Sequence, residues 1–510
     1  MWLPSLLVRL PLYGPGLRVR APLARMSRRY PARPPTRKPR AMPGTAQADA
    51  PRPNLLFIVT DHQRADSIGM TQAGVEVTPN LNGLARRSVN FTRAYNASPI
   101  CAPARTALAT GKYPTANGIV FNDWRGTCAG DHKPVHQCLA DAGYSVAHIG
   151  IDHIKVRPAI RERVEFSEWV SNREHTEHLQ ANGIPTEWPG GADVYRRAIT
   201  ENHAGERAAV KYSNTHAATW PHAAEHFKDS YWCDRAVDFL GRAGDEPFAL
   251  FLYLWAPHPP LVVPEPYASL FDPAELDLPE NVDVPAEGEP SNRRAGIAAQ
   301  LAEGVSTDEW RRVWAAHLGL VNLADAGIGR ALDALAASSH ADDTAVFFMS
   351  DHGDHLGQHR MYQKMEMYEQ AVRVPMILNV PGGATAEIDA PVSHLDIMPT
   401  ILDLMAIDAP DDLDGISLLS CLRTGEAPPD RPQYSGYSGN PTVGDIRRAV
   451  ITRSHKYIHD PDDIPELYDL EADPLETRNI AADPGSREVV RELHALGKSW
   501  AESHNDQVRW

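Results

Sequence analysis

Cysteine, long apolar runs and, after the first 50 residues, positive charge are all scarce in this 510-residue sequence. Its five cysteines show no CxxC-type pairing, so neither a zinc cluster nor a disulfide framework is expected. No apolar stretch approaches the roughly 20 residues that a membrane-spanning helix needs. The most apolar run, Phe248 to Trp255, has the length of a buried strand. We therefore expect a protein with no membrane partner.

The charge of the chain is negative overall and unevenly distributed. The formal net charge is −16 at pH 7, although residues 1–50 are rich in arginine and contain a single acidic residue, Asp49. An acidic body disfavours nucleic acid as a partner, because binding to phosphates needs the opposite sign. A few local cations can still bind an anionic small molecule.

Residues 1–51 are predicted to form a disordered, basic leader rich in proline, because they show no hydrophobic periodicity. Arginine, glycine and proline residues between positions 9 and 15 interrupt the only candidate core of a secretory signal, which slightly favours a cytoplasmic location. An organelle transit peptide is an alternative, as is a true start at Met26 or Met42.

The pattern of the remaining chain predicts alternating strands and helices. A helical pattern covers Leu318 to Leu335. Apolar runs typical of strands buried on both faces of a parallel sheet occur at Asn54–Thr60, Pro247–Trp255, Thr344–Ser350 and Pro375–Val380. We therefore predict a large, doubly wound α/β/α domain over residues 52–425.

A change of pattern follows the proline-rich linker Gly425 to Pro432. A helix is predicted at Ser486 to Glu502. Short strand-like runs precede it at Arg448–Thr452, Lys456–His459 and Glu466–Leu470. Residues 426–510 are thus predicted to form a small α+β domain, an antiparallel sheet with a helix packed on it.

Two of the apolar strands run directly into potential metal ligands. Asp61 and His62 follow the first strand, and the run from Asp351 to Asp354, which includes His352, follows the strand that ends at residue 350. Ligands bind beyond the carboxyl ends of strands in open α/β sheets. Carboxylates with imidazole suit a hard or borderline divalent cation. One such aspartate could simply cap a helix, but two Asp-His pairs favour a metal site.

The segment Pro99 to Arg105 contains the most reactive candidate, Cys101. Pro103 suits the first turn of a helix, which places Cys101 at a helix N-terminus, where the dipole and free amides favour an anion. Arg105, one turn later, adds a permanent cation. A small packing cysteine and a thiolate nucleophile are alternatives, although no histidine base can be assigned from the sequence.

The C-x-P-x-R motif from Cys101 to Arg105 resembles the modification signature of the sulfatase family, which belongs to the alkaline phosphatase superfamily. A single short motif arises by chance, but here the resemblance covers most of the chain. Five blocks follow in the family's order: Pro53–Asp66, Thr78–Gly118, Ala256–Pro260, Met349–Val374 and Glu466–Ile480.

The resemblance implies hydrolysis of a sulfate monoester, with a carbohydrate sulfate favoured and an aryl or choline sulfate as alternatives. It implies that a formylglycine-generating enzyme converts Cys101 to an aldehyde, which hydrates to a gem-diol. One hydroxyl attacks sulfur and displaces the alcohol; the other then loses its proton and expels sulfate. The implied cofactor is one divalent cation, calcium or, as an alternative, manganese.

The resemblance also assigns roles to single residues. Arg105 would stabilise the hydrated aldehyde, while Lys364 and His258 would contact the sulfate and the leaving oxygen. His153 is a candidate general acid or base, and Asn122 a candidate sulfate contact. The implied metal ligands are Asp61, His62, Asp351, His352 and the modified Cys101.

Two positions depart from the family's pattern. Ile151, in Gly150-Ile151-Asp152-His153, replaces an active-site lysine, and Lys155 is a candidate to restore its charge. The loss disfavours a dianionic phosphate monoester and leaves a phosphonate monoester or phosphodiester hydrolase as the closest alternative. His62 stands where Asp, Asn or Gln is more usual. Imidazole is a poor calcium ligand, so a shift towards manganese is the alternative.

Two further alternatives are a catalytically silent binding protein and a cysteine hydrolase with unmodified Cys101. The presence of Cys101, Arg105 and the strand-end aspartates disfavours a silent protein. A polar stretch between the core strands could line a substrate pocket, or could equally be a solvated loop; it contains Trp188, His203, His216, Trp220, His222 and His226.

Overall fold

The computed structural model of the protein describes residues 52–122, 129–130, 132–203, 206–438 and 446–510. The predicted leader and Cys128 lie outside the described residues. The helices are α1 Pro79–Ala85, α2 Cys101–Thr110, α3 Pro114–Asn117, α4 Val135–Asp141, α5 Ile160–Arg163, α6 Asn172–Ala181, α7 Lys228–Arg242, α8 Ile297–Ala302, α9 Thr307–Ala337, α10 Glu369–Val372, α11 Ile397–Leu404, α12 Leu419–Thr424 and α13 Arg487–Ser503.

Strands occur throughout the described chain. They are β1 Asn54–Asp61, β2 Thr71–Gln72, β3 Val75–Glu76, β4 Val89–Tyr95, β5 Ser145–Gly150, β6 Glu168–Val170, β7 Arg196–His203, β8 Glu206–Ser213, β9 Ala217–Trp220, β10 Phe248–Pro257, β11 Leu261–Pro264, β12 Thr344–Ser350, β13 Arg373–Asn379, β14 Ala386–Ile388, β15 Val392–Ser393, β16 Gln433–Ser438, β17 Ile446–Ile451, β18 His455–His459 and β19 Glu466–Asp469.

The large sheet has the strand order β14-β4-β13-β12-β1-β10-β5-β6, and β15 also pairs with β4. Strands β12, β1, β10, β5 and β6 are mutually parallel. Helices α1, α7 and α9 pack together, with α7 and α9 against β10, whereas α2, α4 and α11 form a second group. The prediction of a large α/β domain is confirmed.

One strand runs in the direction opposite to the one expected. The run predicted as a parallel strand at Pro375–Val380 is β13, which is antiparallel to both β12 and β4. Helices and neighbouring segments cover both of its faces, so β13 is almost as apolar as a parallel strand. The apolar composition of β13 therefore indicates that the strand is buried, but it does not indicate whether the strand is parallel or antiparallel to its neighbours.

The C-terminal part is also confirmed as a small antiparallel sheet with a helix. Its strand order is β16-β17-β18-β19, and α13 packs on β17 and β18. The first strand, β16, was not predicted, because its sequence QYSGYS is polar, although alternate side chains are buried. The domain boundary near residue 425 stays a prediction.

A group of buried charges, which we call the junction cluster, joins this small sheet to the large domain. It consists of Arg293, Glu366, Arg447, Asp460 and Glu466. Arg293 lies 3.2 Å from Asp460 and 3.6 Å from Glu366, and it also pairs with Glu466. Among the helices that the structure describes, none is both long and apolar enough to cross a bilayer.

Candidate active site

The register of β1 against β12 brings the two strand-end aspartates together. Thr60 pairs with Ser350, and the amide of Asp351 donates to the carbonyl of Thr60 at 3.1 Å. Asp61 and Asp351 therefore leave the sheet side by side at its carboxyl edge, and both are fully buried. This is the neighbourhood that the strand-end pattern predicted.

Helix α2 carries the candidate nucleophile to the same edge. Ile100 is extended, and Cys101 is the first helical residue. The amide of Ala102 donates to Oδ1 of Asn122 at 2.8 Å, so one free N–H of the helix end is satisfied by a distant side chain. Asn122 thus anchors the start of the helix in this structure; the sulfate contact predicted for it stays a prediction.

Arg105, one turn further along α2, binds both aspartates. Its Nε lies 2.7 Å from Oδ2 of Asp351, and Nη2 lies 3.2 Å from Oδ2 of Asp61. The guanidinium also lies 5.3 Å from the centre of the Tyr253 ring. Among the described residues its Nη1 makes no hydrogen bond. Arg105 therefore holds the carboxylates of Asp61 and Asp351 in place, and its Nη1 can still donate a hydrogen bond to a ligand.

Three residues surround the sulfur of Cys101. Lys364 Nζ lies 2.6 Å from Sγ, His352 Nε2 lies 3.4 Å from it, and Oδ1 of Asp61 lies 3.8 Å away. Lys364 is held by an unusual backbone, because its neighbours Gln363 and Met365 have φ angles of 67° and 83°. Non-glycine residues rarely adopt such angles, so the surrounding contacts must impose them.

His62 connects this cluster to a residue that the sequence analysis left without a role. Its Nδ1 lies 2.7 Å from Oδ2 of Asp354, and its Nε2 accepts from Lys364 Nζ at 2.7 Å. A carboxylate accepts hydrogen bonds, so Asp354 holds the proton on Nδ1 and leaves the lone pair of Nε2 turned towards the site. The position of Asp354 in the run of potential metal ligands from Asp351 to Asp354 is the feature of the sequence from which its role could have been inferred.

The other two predicted histidines lie at the carboxyl ends of β10 and β5. The ring of His258 is 4.4 Å from that of His62 and 4.1 Å from that of Trp255. His153 is 6.4 Å from the Trp255 ring, and burial lowers its pKa to about 3. Ile151 is only 1% exposed, so position 151 is part of the hydrophobic core.

The charges of the site fit a divalent cation. Burial, and after it the charge of Asp351, raises the pKa of Asp61 to about 7. Burial and the same aspartates raise the pKa of the Cys101 thiol to about 12, which disfavours a free thiolate. Ligand atoms within 4.8 Å of one another form two overlapping sets: Asp61, Cys101, Asp351 and His352, and Asp61, His62, Cys101 and His258. A bound cation would offset the repulsion between these carboxylates.

This fold and this site define a hydrolase of the alkaline phosphatase superfamily. A family model described as "Sulfatase" matches residues 53–407, and one described as "N-sulphoglucosamine sulphohydrolase, C-terminal" matches residues 357–501. The chain belongs to the sulfatase family and is a sulfuric ester hydrolase, as the resemblance in its motifs indicated.

Known relatives are similar over nearly the whole chain. The chain is 29% identical to a choline-sulfatase of Rhizobium meliloti, over 85% of this chain and 83% of the relative. It is 24% identical to an N-acetylglucosamine-6-O-sulfatase of Bacteroides thetaiotaomicron, over 89% and 87%. A solved phosphonate monoester hydrolase from Silicibacter pomeroyi is 26% identical, with a TM-score of 0.71, over 90% of this chain and 96% of that one.

Proposed function

We propose that this protein hydrolyses a carbohydrate sulfate monoester, with a formylglycine made from Cys101 as its nucleophile. One observation carries the proposal: Cys101 begins a helix at the carboxyl edge of the sheet, with its sulfur between Lys364 and the Asp61 carboxylate. A hydrated aldehyde at this position supplies a nucleophile that is regenerated when sulfate is eliminated. The partner that makes it would be a formylglycine-generating enzyme.

We assign a proposed task to each of four polar side chains of the site. Lys364, whose Nζ touches Sγ, would bind a sulfate oxygen and stabilise the charge that develops during transfer. His258, whose Nδ1 faces the carbonyl oxygen of Pro259, would contact the sulfate group, and Lys364 would neutralise the leaving alcohol oxygen. Arg105 would orient the hydroxyl groups of the nucleophile through its remaining donor. His153, neutral near pH 7 because burial lowers its pKa, could accept the proton released when sulfate is expelled.

The proposed cofactor is one divalent cation held by Asp61, Asp351, His352 and the modified residue 101, with His62 as a further ligand. When bound, it supplies positive charge that polarises the nucleophile and the sulfate. The carboxylates suit calcium, which is the family expectation. The two imidazoles favour manganese as the alternative, since borderline metals accept nitrogen more readily.

A phosphonate monoester hydrolase is the second candidate, because a solved enzyme of that kind has the same fold. Sulfate monoesters and phosphonate monoesters both carry a single negative charge. Ile151 lies in the core and brings no cation to the site, so the site is matched to a singly charged group of either kind. A direct comparison of the two substrates separates the candidates.

The test begins with the mass of the peptide that contains Cys101, in protein from its native host. Conversion of the thiol to the aldehyde lowers the mass by about 18 Da, as exchange of sulfur for oxygen with loss of two hydrogens requires. The same preparation is assayed with 4-nitrophenyl sulfate and 4-nitrophenyl phenylphosphonate, beside a Cys101→Ala control. Full activity from protein with unmodified Cys101 would overturn the proposed nucleophile, and a preference for the phosphonate would overturn the proposed reaction.

A further inference from the structure

Lys228, the first residue of α7, places its positive charge beside two indole rings. Its Nζ lies 4.7 Å from the ring centre of Trp255 and 5.4 Å from that of Trp188. Within the part of the chain that the structure describes, no carboxylate oxygen forms a close ion pair with it, although the charge of the adjacent Asp229 attracts the amine. The neighbouring carboxylate of Asp229 instead accepts from the amides of Trp255 and Ala256, at 2.7 and 2.9 Å.

The position of Lys228 is unfavourable for stability alone. It stands in the first turn of a 15-residue helix, where the dipole disfavours a cation. The side chain is half-buried between two indole rings, and burial lowers the pKa of its amine. Contacts with the indole faces offset part of this cost. Because Lys228 lowers the stability of the fold at this position, we expect it to bind an anionic group of a ligand.

Lys228 is connected to the reacting centre through two rings. The Trp255 ring is 4.1 Å from His258, which lies 4.4 Å from His62. A ring nitrogen of His258 is within 4.8 Å of the sulfur of Cys101. Trp255, which contacts Lys228, therefore lies beside the histidine that would contact the sulfate group of a substrate.

We propose that Lys228, Trp188 and Trp255 form a second subsite, which binds a carboxylate or a second sulfate on the sugar that carries the scissile sulfate. The inference rests on the proposed function and specifies its substrate class as a multiply anionic saccharide. The indole of Trp255 supplies an apolar surface for the sugar ring, and Lys228 supplies the ion pair. The same cation repels choline sulfate, whose alcohol part carries a positive charge.

This arrangement predicts a change of specificity when the cation is removed. The variant Lys228→Met keeps most of the length of the side chain and removes its charge. It leaves two indole rings without a competing cation, and aromatic rings of this kind bind quaternary ammonium groups. Affinity should therefore fall for multiply anionic saccharides and rise for choline sulfate. A purely structural role for Lys228 would move both affinities in the same direction.

The experiment compares wild type, Lys228→Met and the control Lys211→Met, which removes an exposed lysine paired with Asp193. Three ligands are used as competitors of 4-nitrophenyl sulfate: glucosamine N,6-disulfate for a second sulfate, a sulfated glucuronate for a carboxylate, and choline sulfate. In Lys228→Met we expect at least one dianion to bind about tenfold more weakly. Choline sulfate should bind more tightly, whereas Lys211→Met should bind all three ligands and turn over 4-nitrophenyl sulfate as wild type does.

The possible outcomes distinguish a failure of the subsite proposal from a failure of the proposed function. Equal binding of both dianions by wild type and Lys228→Met would overturn the subsite, as would equal losses for all ligands. If only one dianion loses affinity, that result identifies carboxylate or sulfate as the bound group. Absence of sulfate release by wild type from 4-nitrophenyl sulfate and from both sulfated saccharides would instead contradict the proposed function, and calorimetric binding of the same dianions would still test Lys228.

Discussion

Nε of Arg447 lies 3.1 Å from Oε2 of Glu366, and this buried ion pair joins the C-terminal sheet to the segment that carries Lys364. Glu366 is two residues beyond Lys364, where the backbone is left-handed on both sides of the lysine. The small C-terminal sheet therefore has a part in the active site, because its charges hold the segment that presents Lys364 to Cys101.

The ion pair should matter for stability. Arg447→Met leaves Glu366 buried beside one fewer cation, and breaking a buried pair in this way costs about 3–5 kcal/mol of unfolding free energy. Urea unfolding measures the loss. Asp483→Asn, which breaks the exposed pair with Arg478, is the matched control and should cost under about 1 kcal/mol. Equal costs for the two variants would show that the junction cluster is not a stabilising feature.

Lys364→Met should lower kcat by about 10²–10³-fold, since removal of one preorganised donor from a transition state has an effect of this size. The measurement is kcat for 4-nitrophenyl sulfate at saturating substrate. Lys133→Met, which removes an exposed lysine paired with Asp141, should retain wild-type kcat. Near-normal turnover by Lys364→Met would mean that the lysine does not contact the reacting sulfate.

Asp354→Asn should weaken metal binding by about 10–100-fold, the usual effect of losing a carboxylate behind a histidine ligand. The new amide can keep the bonds that Oδ1 accepts from Leu356 and Gln363, but its NH₂ then faces Nδ1 of His62. Calorimetric titration with Mn²⁺ and with Ca²⁺ measures the change, and we expect the larger loss for manganese. Unchanged affinity for both metals would exclude His62 as a ligand.

Gly150→Ala should be severely destabilising. The φ angle of Gly150 is +117°, and an added Cβ would lie 1.8 Å from the carbonyl oxygen of Tyr253 in the neighbouring strand. Gly143→Ala is the control, because its φ is +84° with no atom within 4 Å of the new Cβ. We expect the control to cost about 1 kcal/mol and Gly150→Ala to cost several times more by urea unfolding. Similar costs would show that β5 and β10 can move apart.

The elements that the sequence predicts well are those in which burial and periodicity agree. β12 covers the predicted range, and α13 is displaced by one residue at each end. Helix α9 begins at Thr307, well before the predicted Leu318, because the first part of the helix mixes buried tryptophans with exposed charges. The polar β16 was missed because only its partner strand shows which side chains are covered.

Among the site residues, too, those marked by local sequence features could be predicted, and those that depend on contacts between distant segments could not. Asp61, Asp351 and Cys101 were predictable because strand ends and helix starts are local features of the sequence. The contact of Lys228 with Trp188 and Trp255 depends on three distant segments, so no local spacing indicates it. Trp220, which the polar stretch offered as a pocket residue, is buried in the hydrophobic core, where it packs on Phe227.

The pairing of β1 with β12 also determines when, during synthesis of the chain, the sheet around Cys101 can form. Thr60 is made 290 residues before Ser350, its partner in the sheet. Until β12 has been synthesised, Cys101 belongs to an unfinished polypeptide and is open to solvent. In the completed fold its side chain is 2% exposed. The formylglycine-generating enzyme proposed above would therefore reach the thiol only between its synthesis and the closure of the sheet, and translation speed would then compete with oxidation in setting the fraction of modified molecules.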